Sequence, residues 1–299
     1  MVNEAIGKGS NCRAARRWLN PALWILAVVL ALASLVFQRV TGPTHALRGT
    51  VKIAGASYHY QLPRSYETMI DAPVELALPD TRIAGSLRWR RLGTGDSWDV
   101  STMARSGDNL FASLPHQPPA GKLEYFIELE ADGERVMLPA ENAAVIRFRD
   151  SVPSFLLHPH IFFMVLAILF ALRAGLDAVW PTGRLRALAR LATGTLFLGG
   201  MVFGPIVQYY AFGQLWTGVP LGYDLTDNKT LIAIVFWIAA FFIVGWGKKR
   251  ATAVARWAVL IAAIVTVGIY MIPHSLHGST LDYSRLEQGA SPTEAIGQG

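Results

Sequence analysis

The sequence predicts a bundle of five transmembrane helices with an all-β sandwich inserted between the first and the second. Two observations carry this. Five apolar runs are long enough to span a bilayer, whose hydrocarbon core of about 30 Å takes about 20 helical residues. Between the first two runs, residues 45–150 change to short alternating or β-branched stretches broken by turn residues. Of the 299 residues, 52% are hydrophobic and only 16% charged, where a soluble domain carries about 25% charged. The deficit falls in the runs, which sets the class as membrane rather than globular.

The first run, residues 19–38, follows a short N-terminus (1–18) that carries Arg13, Arg16 and Arg17. It is longer than the apolar core of a signal peptide and is read as an uncleaved signal anchor. A cleaved signal is the alternative, since Ala31, Ala33 and Ser34 are small enough for a cleavage site. Either way the next segment is exported. The other four runs are expected at 161–180, 188–210, 230–246 and 257–272, within a helical bundle spanning 157–273, and a tail of 274–299 follows.

The connections set the orientation. Residues 181–190 carry Arg184, Arg186 and Arg190; residues 247–256 carry Lys248, Lys249, Arg250 and Arg256; neither holds an acidic residue. Residues 211–228 hold Asp224 and Asp227 and no basic residue. Basic loops stay in the cytoplasm, so the N-terminus is expected to be cytoplasmic. The β domain, the 211–228 loop and the C-terminal tail are expected outside, in the periplasm if the membrane is a bacterial inner membrane. Trp18, Trp180, Trp246 and Trp257 stand at run ends, where interfacial anchors belong.

The formal charge of +6 and a pI near 9.6 do not point to nucleic acid. The cations flank apolar runs, and no basic face interleaved with aromatics accompanies them. The bilayer is their partner. The single cysteine, Cys12, excludes an intrachain disulfide and cysteine-ligated metal clusters within the chain.

In the β domain, strands are expected at 51–53, 74–78, 86–91, 122–129 and 145–148, with breaks at Pro79–Asp80, Gly93 to Gly95, Gly107–Asp108 and Pro118–Pro119. About seven short strands at this spacing make an antiparallel sandwich. The stretch Leu87–Arg88–Trp89–Arg90 to Trp98, with Met103, Gly107–Asp108, Leu114–Pro115 and Tyr125, resembles bacterial immunoglobulin-like or fibronectin-III modules. The stretch Gly204–Pro205 to Thr230, with Asp224 to Lys229 near its end, together with Ile272–Pro273–His274–Ser275, is similar to segments of an uncharacterised bacterial family of polytopic membrane proteins. The resemblance implies an external immunoglobulin-like domain on a membrane bundle and carries no activity with it.

Candidate functional residues gather at the outer face. His158 and His160 precede the second run, His274 and His277 follow the fifth, and Asp224, Asp227 and Asp282 come from the loop and tail. Imidazole and carboxylate are the ligands of divalent transition metals. The set is therefore read as a metal or redox site, for copper or another such metal, with a b-type haem less favoured because the histidines sit at run edges. Singly, each residue has a plainer reading. Pro159 can start a helix, Asp224 or Asp227 can cap one, and Lys229 can snorkel to headgroups. Arg173 and Asp177, four apart, can pair within the second run; snorkelling is the plainer reading, and a proton or quinone-headgroup site the functional one. The apolar loop 211–228 is expected to fold back over the bundle as a lid or to form a docking surface.

The alternative to the metal site is a non-catalytic subunit or assembly factor that docks a membrane or periplasmic protein through the β domain. A transporter is less favoured, since paired charges at mid-membrane and an inverted repeat are lacking. No hydrolase, phosphate-loop or dinucleotide motif occurs, and no catalytic residue is assigned.

Overall fold

The computed structural model describes residues 2–42, 44–245, 251–272 and 278–296, with side chains from Trp18 onward. The chain forms two compact units. One is helical: residues 1–40, 153–207 and 226–273. The other is β-rich: residues 41–152 and 208–225 with the described part of 274–299.

In the helical unit, five helices are long and apolar enough to cross a bilayer, the mark of a multi-pass membrane protein. They lie within α1 (Val2–Thr41), α2 (Ser154–Val179), α3 (Leu185–Phe212), α4 (Leu225–Val244) and α5 (Ala253–Met271). Small residues make the contacts. Ala167, Ala171, Ala174 and Ala178 of α2 are buried along one stripe, with Ala189 and Ala192 of α3 and Ala262 and Ala263 of α5. A Cβ added at Gly175 would come within 2.8 Å of the Ala263 Cβ. Such residues let helix backbones approach where lipid offers no hydrophobic drive for association. Large apolar side chains such as Phe242 and Ile264 point outward. Trp18, Trp180 and Trp257 are exposed, as interfacial anchors are, and Trp246 lies outside the described residues.

The helices start earlier than the apolar runs. The expected start of α2 at 161 moves to Ser154, so His158–Pro159–His160 lies inside the helix rather than before it. Helix α4 begins at Leu225, not 230, which takes in Asp227, Asn228 and Lys229. Polar residues can extend a helix beyond the hydrocarbon layer because its backbone stays hydrogen-bonded. Within α3 the turns Phe197–Phe203 widen to a π-helix.

The arginines of the basic connections close helix ends. Arg256 donates to Ala178 O and Val179 O at the end of α2, while Arg186 and Arg190 donate to Val244 O and Gly245 O at the end of α4. The last carbonyls of a helix have no internal partner and carry the negative end of its dipole, so these cations are held for local reasons as well as for topology.

The β-rich unit contains eleven strands among the described residues. β1 (Leu47–Ile53) and β2 (Ala56–Leu62) form a hairpin. A larger sheet runs β3 (Ser65–Glu67), β11 (Ala144–Arg149), β9 (Lys122–Ala131), β5 (Ala84–Arg91), β6 (Asp99–Thr102), with β10 (Glu134–Leu138) also paired to β9. β4 (Ala72–Ala77), β8 (Asn109–Leu114) and β7 (Ala104–Ser106) form a third sheet. β3 and β11 run parallel, and the other pairs antiparallel. The five expected strands fall on β1, β4, β5, β9 and β11. Alternate residues of β9, from Leu123 through Tyr125, Ile127 and Leu129 to Ala131, turn inward. They share one core with Val51 and Ile53 of the hairpin and Val74, Leu76, Leu110 and Leu114 of the third sheet. The period of two along each strand produces this one-sided burial.

The loop after α3 and the C-terminal tail belong to the same unit as these strands. Leu281 pairs with Ile296 in an isolated bridge, and α6 (Tyr283–Glu287) lies between them. Leu281, Tyr283, Ala295 and Ile296 form a small core with Ala120 and Phe212. The apolar loop expected to cover the bundle or to present a docking face is thus built into the β-rich unit.

Candidate functional site

Five of the seven predicted ligands, His158, His160, Asp224, Asp227 and Asp282, lie among the described residues. His158 is exposed on α2. His160, two residues on, is half-buried against α3, and its Nδ1–H donates to Gly199 O at 2.9 Å. Gly199 lies in the π-helical turns, where a Cβ would come within 3.0 Å of the Met164 backbone. The carbonyl fixes the imidazole as the Nδ1–H tautomer and leaves Nε2 as a base. His274 and His277 lie outside the described residues. Among the described residues, no three His, Cys, Asp or Glu side chains gather closely enough to hold an ion.

Each carboxylate has a structural engagement. Asp227 is buried in the first turn of α4, where the helix dipole favours an anion. Asp282 caps α6: its side chain accepts from Ser284 N at 3.0 Å, Ser284 Oγ at 2.5 Å and Arg285 N at 3.4 Å. The bond from the Ser284 hydroxyl, above all, holds this carboxyl below its usual range. Asp224 is buried and accepts from the backbone N–H and the hydroxyl of Ser279, the latter at 2.8 Å.

Two snorkelling expectations are overturned. Lys229 is only 4% exposed. Its ammonium donates to Ile272 O at 3.0 Å, at the C-cap of α5, where protein carbonyls replace the headgroups. Arg173 and Asp177 are also fully buried and pair at 3.3 Å. Arg173 further donates to Asn20 Oδ1 at 2.7 Å and Thr182 Oγ1 at 3.2 Å, and lies 5.4 Å from the Trp24 ring centroid. Asp177 accepts from the Thr182 amide and hydroxyl. Both ions turn into the bundle because α1 brings Asn20 and Trp24 to meet them. The pair ties α1 to α2 and to the chain that follows α2.

A third polar centre, unmarked in the sequence, lies in the β-rich unit. Lys122 of β9 and Arg147 of β11 both reach the tail segment Gly278–Ser279–Thr280. Lys122 Nζ donates to Thr280 Oγ1 at 2.6 Å and Gly278 O at 3.3 Å, and Arg147 donates to Ser279 O at 2.9 Å. Asp224 holds the same Ser279 from the loop. Thr217 meets the Ser279 hydroxyl at 3.3 Å, and Gln208 donates to Thr217 Oγ1 at 2.7 Å. The Arg147 guanidinium lies 4.1 Å from the Phe212 ring centroid, and its Nε is buried without a hydrogen-bond partner among the described residues. Burial, reinforced by Arg147, lowers the Lys122 ammonium to about 8, with Asp224 opposing. Burial likewise lowers Arg147 to about 10, again opposed by Asp224. Two cations and one carboxylate therefore close on a single tail segment. On neighbouring strands and in isolation, Lys122 and Arg147 read as solvated charges; nothing in their spacing signals the returning tail.

No protein-family model matches this chain, and no curated protein matches it.

Proposed function

We propose that this chain is a non-catalytic membrane subunit or assembly factor, whose β-rich unit is an immunoglobulin-like sandwich that docks a protein partner outside the cytoplasm. The clamp on Ser279 supports this reading. Three segments far apart in sequence are drawn into one unit at the cost of burying Lys122, Arg147 and Asp224. A domain hung from one linker needs no such clamp. Here the chain passes between the two units five times, at 40/41, 152/153, 207/208, 225/226 and 273/274, once for each of the five long helices.

The clamp also bears on orientation. Segments that fold together share one side of a membrane, which leaves the connections after α2 and after α4 on the other. Those carry the arginines and lysines, so the positive-inside rule sets them in the cytoplasm and the β-rich unit outside. In a bacterium this is the periplasmic side of the inner membrane. Contacts from Asn20 to Arg173 and from Gln38 to Tyr270 O at 2.6 Å support an uncleaved first helix.

Affinity purification from cross-linked native membranes tests the docking role. A stoichiometric partner is expected, retained when His158, His160, His274 and His277 are all changed to Ala and lost when residues 45–150 are deleted. Failure to recover any stoichiometric partner overturns it.

The metal or redox reading keeps one observation in its favour. The Gly199 carbonyl presets His160 with Nε2 as the available base, the arrangement a ligating histidine needs. Copper or another divalent transition metal suits the imidazole and carboxylate donors better than haem b does. Metal content and visible absorption of the purified protein, compared with the fourfold histidine variant, decide this. A stoichiometric species lost in the variant establishes the site, and identical spectra and metal content remove it.

A further inference from the structure

One cavity in the β-rich unit is used by none of the contacts above. It holds about 410 Å³ and opens beside the end of β5, between that strand, the turn into β6 and the chain after β8. Small-molecule sites run from about 300 to 1,000 Å³. Trp89 and Arg91, two apart on β5, share one face of the sheet, and Asp99 stands opposite Trp89 in the β5–β6 ladder. Asp96, Ser97 and Gln117 complete the polar lining.

The cations of this lining are already engaged. Arg91 is held by Asp96 at 2.6 Å, by Glu287 at 2.8 Å and over the Tyr283 ring, 4.9 Å from its centroid. Arg90 pairs with Glu124 at 2.6 Å and stacks over Trp98. Gln117 accepts from the Tyr283 hydroxyl and donates to His116 O at 2.8 Å. The Asp99 side chain, by contrast, is exposed and makes no ion pair or hydrogen bond among the described residues. What faces the cavity is therefore an indole, an uncommitted carboxylate, a hydroxyl and the remaining lone pairs of Asp96.

That set selects among ligands. A phosphate or carboxylate brings only acceptors and meets two carboxylates with no free cation. An acceptor-rich wall takes hydroxyl donors, and bonds to an ionised carboxylate are the stronger kind. The negative face of an indole accepts the weakly positive C–H face of a sugar ring. We propose that this cavity binds a neutral saccharide, with Trp89 as the stacking wall and Asp99 and Ser97 as hydroxyl partners. The site is independent of the docking role, because its lining lies wholly within the β-rich unit and requires no protein partner.

Saturation-transfer NMR on the full chain tests it, in lauryldimethylamine oxide so that no sugar headgroup competes. The probes are maltotriose, cellotriose and N,N′,N″-triacetylchitotriose, with inorganic phosphate and putrescine as anionic and cationic controls. At least one trisaccharide is expected to bind with a dissociation constant on the order of 1 mM or tighter. Asp99→Ala, which changes an exposed side chain, and Trp89→Phe, which keeps an aromatic against the core, are each expected to weaken binding by about tenfold. The proposal is overturned by any of three results: no transfer to any trisaccharide at about 10 mM, a control binding in their place, or both variants binding as the parent does.

Discussion

Asp177→Ala isolates the buried ion pair of the helical unit. Arg173 is fully buried, with Asp177 at 3.3 Å as its only anionic partner among the described residues; Asn20, Thr182 and Trp24 are also in contact with it. Its Nε already lacks a hydrogen-bond partner among the described residues. Removing the carboxylate leaves a guanidinium with no compensating charge inside the bundle, and strips the Thr182 amide of its acceptor. Breaking a buried pair from one side costs about 3–5 kcal/mol, a factor of about a hundred to a few thousand in the folding equilibrium. The natural assay is reversible unfolding in mixed micelles by sodium dodecyl sulfate titration, followed by circular dichroism. Arg173→Met completes a double-mutant cycle. In the Asp177→Ala background it should recover much of the loss, because no charge then remains buried, giving a coupling of at least about 2 kcal/mol. A loss below about 1 kcal/mol for Asp177→Ala, or simple additivity in the cycle, would show that the pair is wetted and would refute the argument.

The remaining predictions concern the β-rich unit. Lys122 loses its proton at about 8 in the fold and near 10.4 in the unfolded chain. Between those values the unfolded state binds more protons, so stability rises with pH by about 3 kcal/mol in all; pH-resolved denaturation should show this rise and its loss in Lys122→Met. Ser279→Ala removes the hydroxyl that Asp224 accepts and should destabilise by about 1–3 kcal/mol, with hydrogen exchange of residues 278–296 rising by at least about tenfold. Ala54 stands at φ 51° in the two-residue turn between β1 and β2, a conformation that costs a residue with a Cβ about 1 kcal/mol. Ala54→Gly should therefore raise the thermal midpoint slightly, by up to about 1 kcal/mol of stability.

The membrane helices and the strand framework were legible because each follows from a local period. The five apolar runs correspond to the five helices long and apolar enough to cross a bilayer, and the alternation Leu123, Tyr125, Ile127, Leu129 to β9. Span limits were less legible, since hydropathy marks where lipid contact stops and not where backbone hydrogen bonding stops; α4 runs back through Lys229 to Leu225 for that reason. A further local signal marks a hairpin. Asp132–Gly133, with φ of 51° and 84°, joins β9 to β10 as a two-residue turn, and Asp-Gly is among the strongest hairpin signals. The pair Arg173–Asp177 was visible as an i,i+4 spacing, but its burial required α1 to supply Asn20 and Trp24. The clamp on Ser279 was invisible, because Lys122, Arg147 and Asp224 converge only after the tail returns to the sheet.

The cations held in this chain serve segment ends and returns. Lys229 reaches the carbonyl end of α5, Arg256 that of α2, and Arg186 and Arg190 that of α4. Arg173 joins α1 to α2, and Lys122 and Arg147 hold the tail. All but Arg173, which meets side chains alone, donate to a backbone carbonyl where a segment ends or returns, a place where such carbonyls would otherwise lack partners. A buried charge employed this way is fixed by several contacts and has little freedom to change partner or protonation during a reaction. Among the described residues, groups with capacity to bind include the Nε2 of His160 and the carboxylate of Asp99 at the mouth of its cavity. Chemistry or recognition by this protein is therefore better sought at those two places than among its most deeply buried ions.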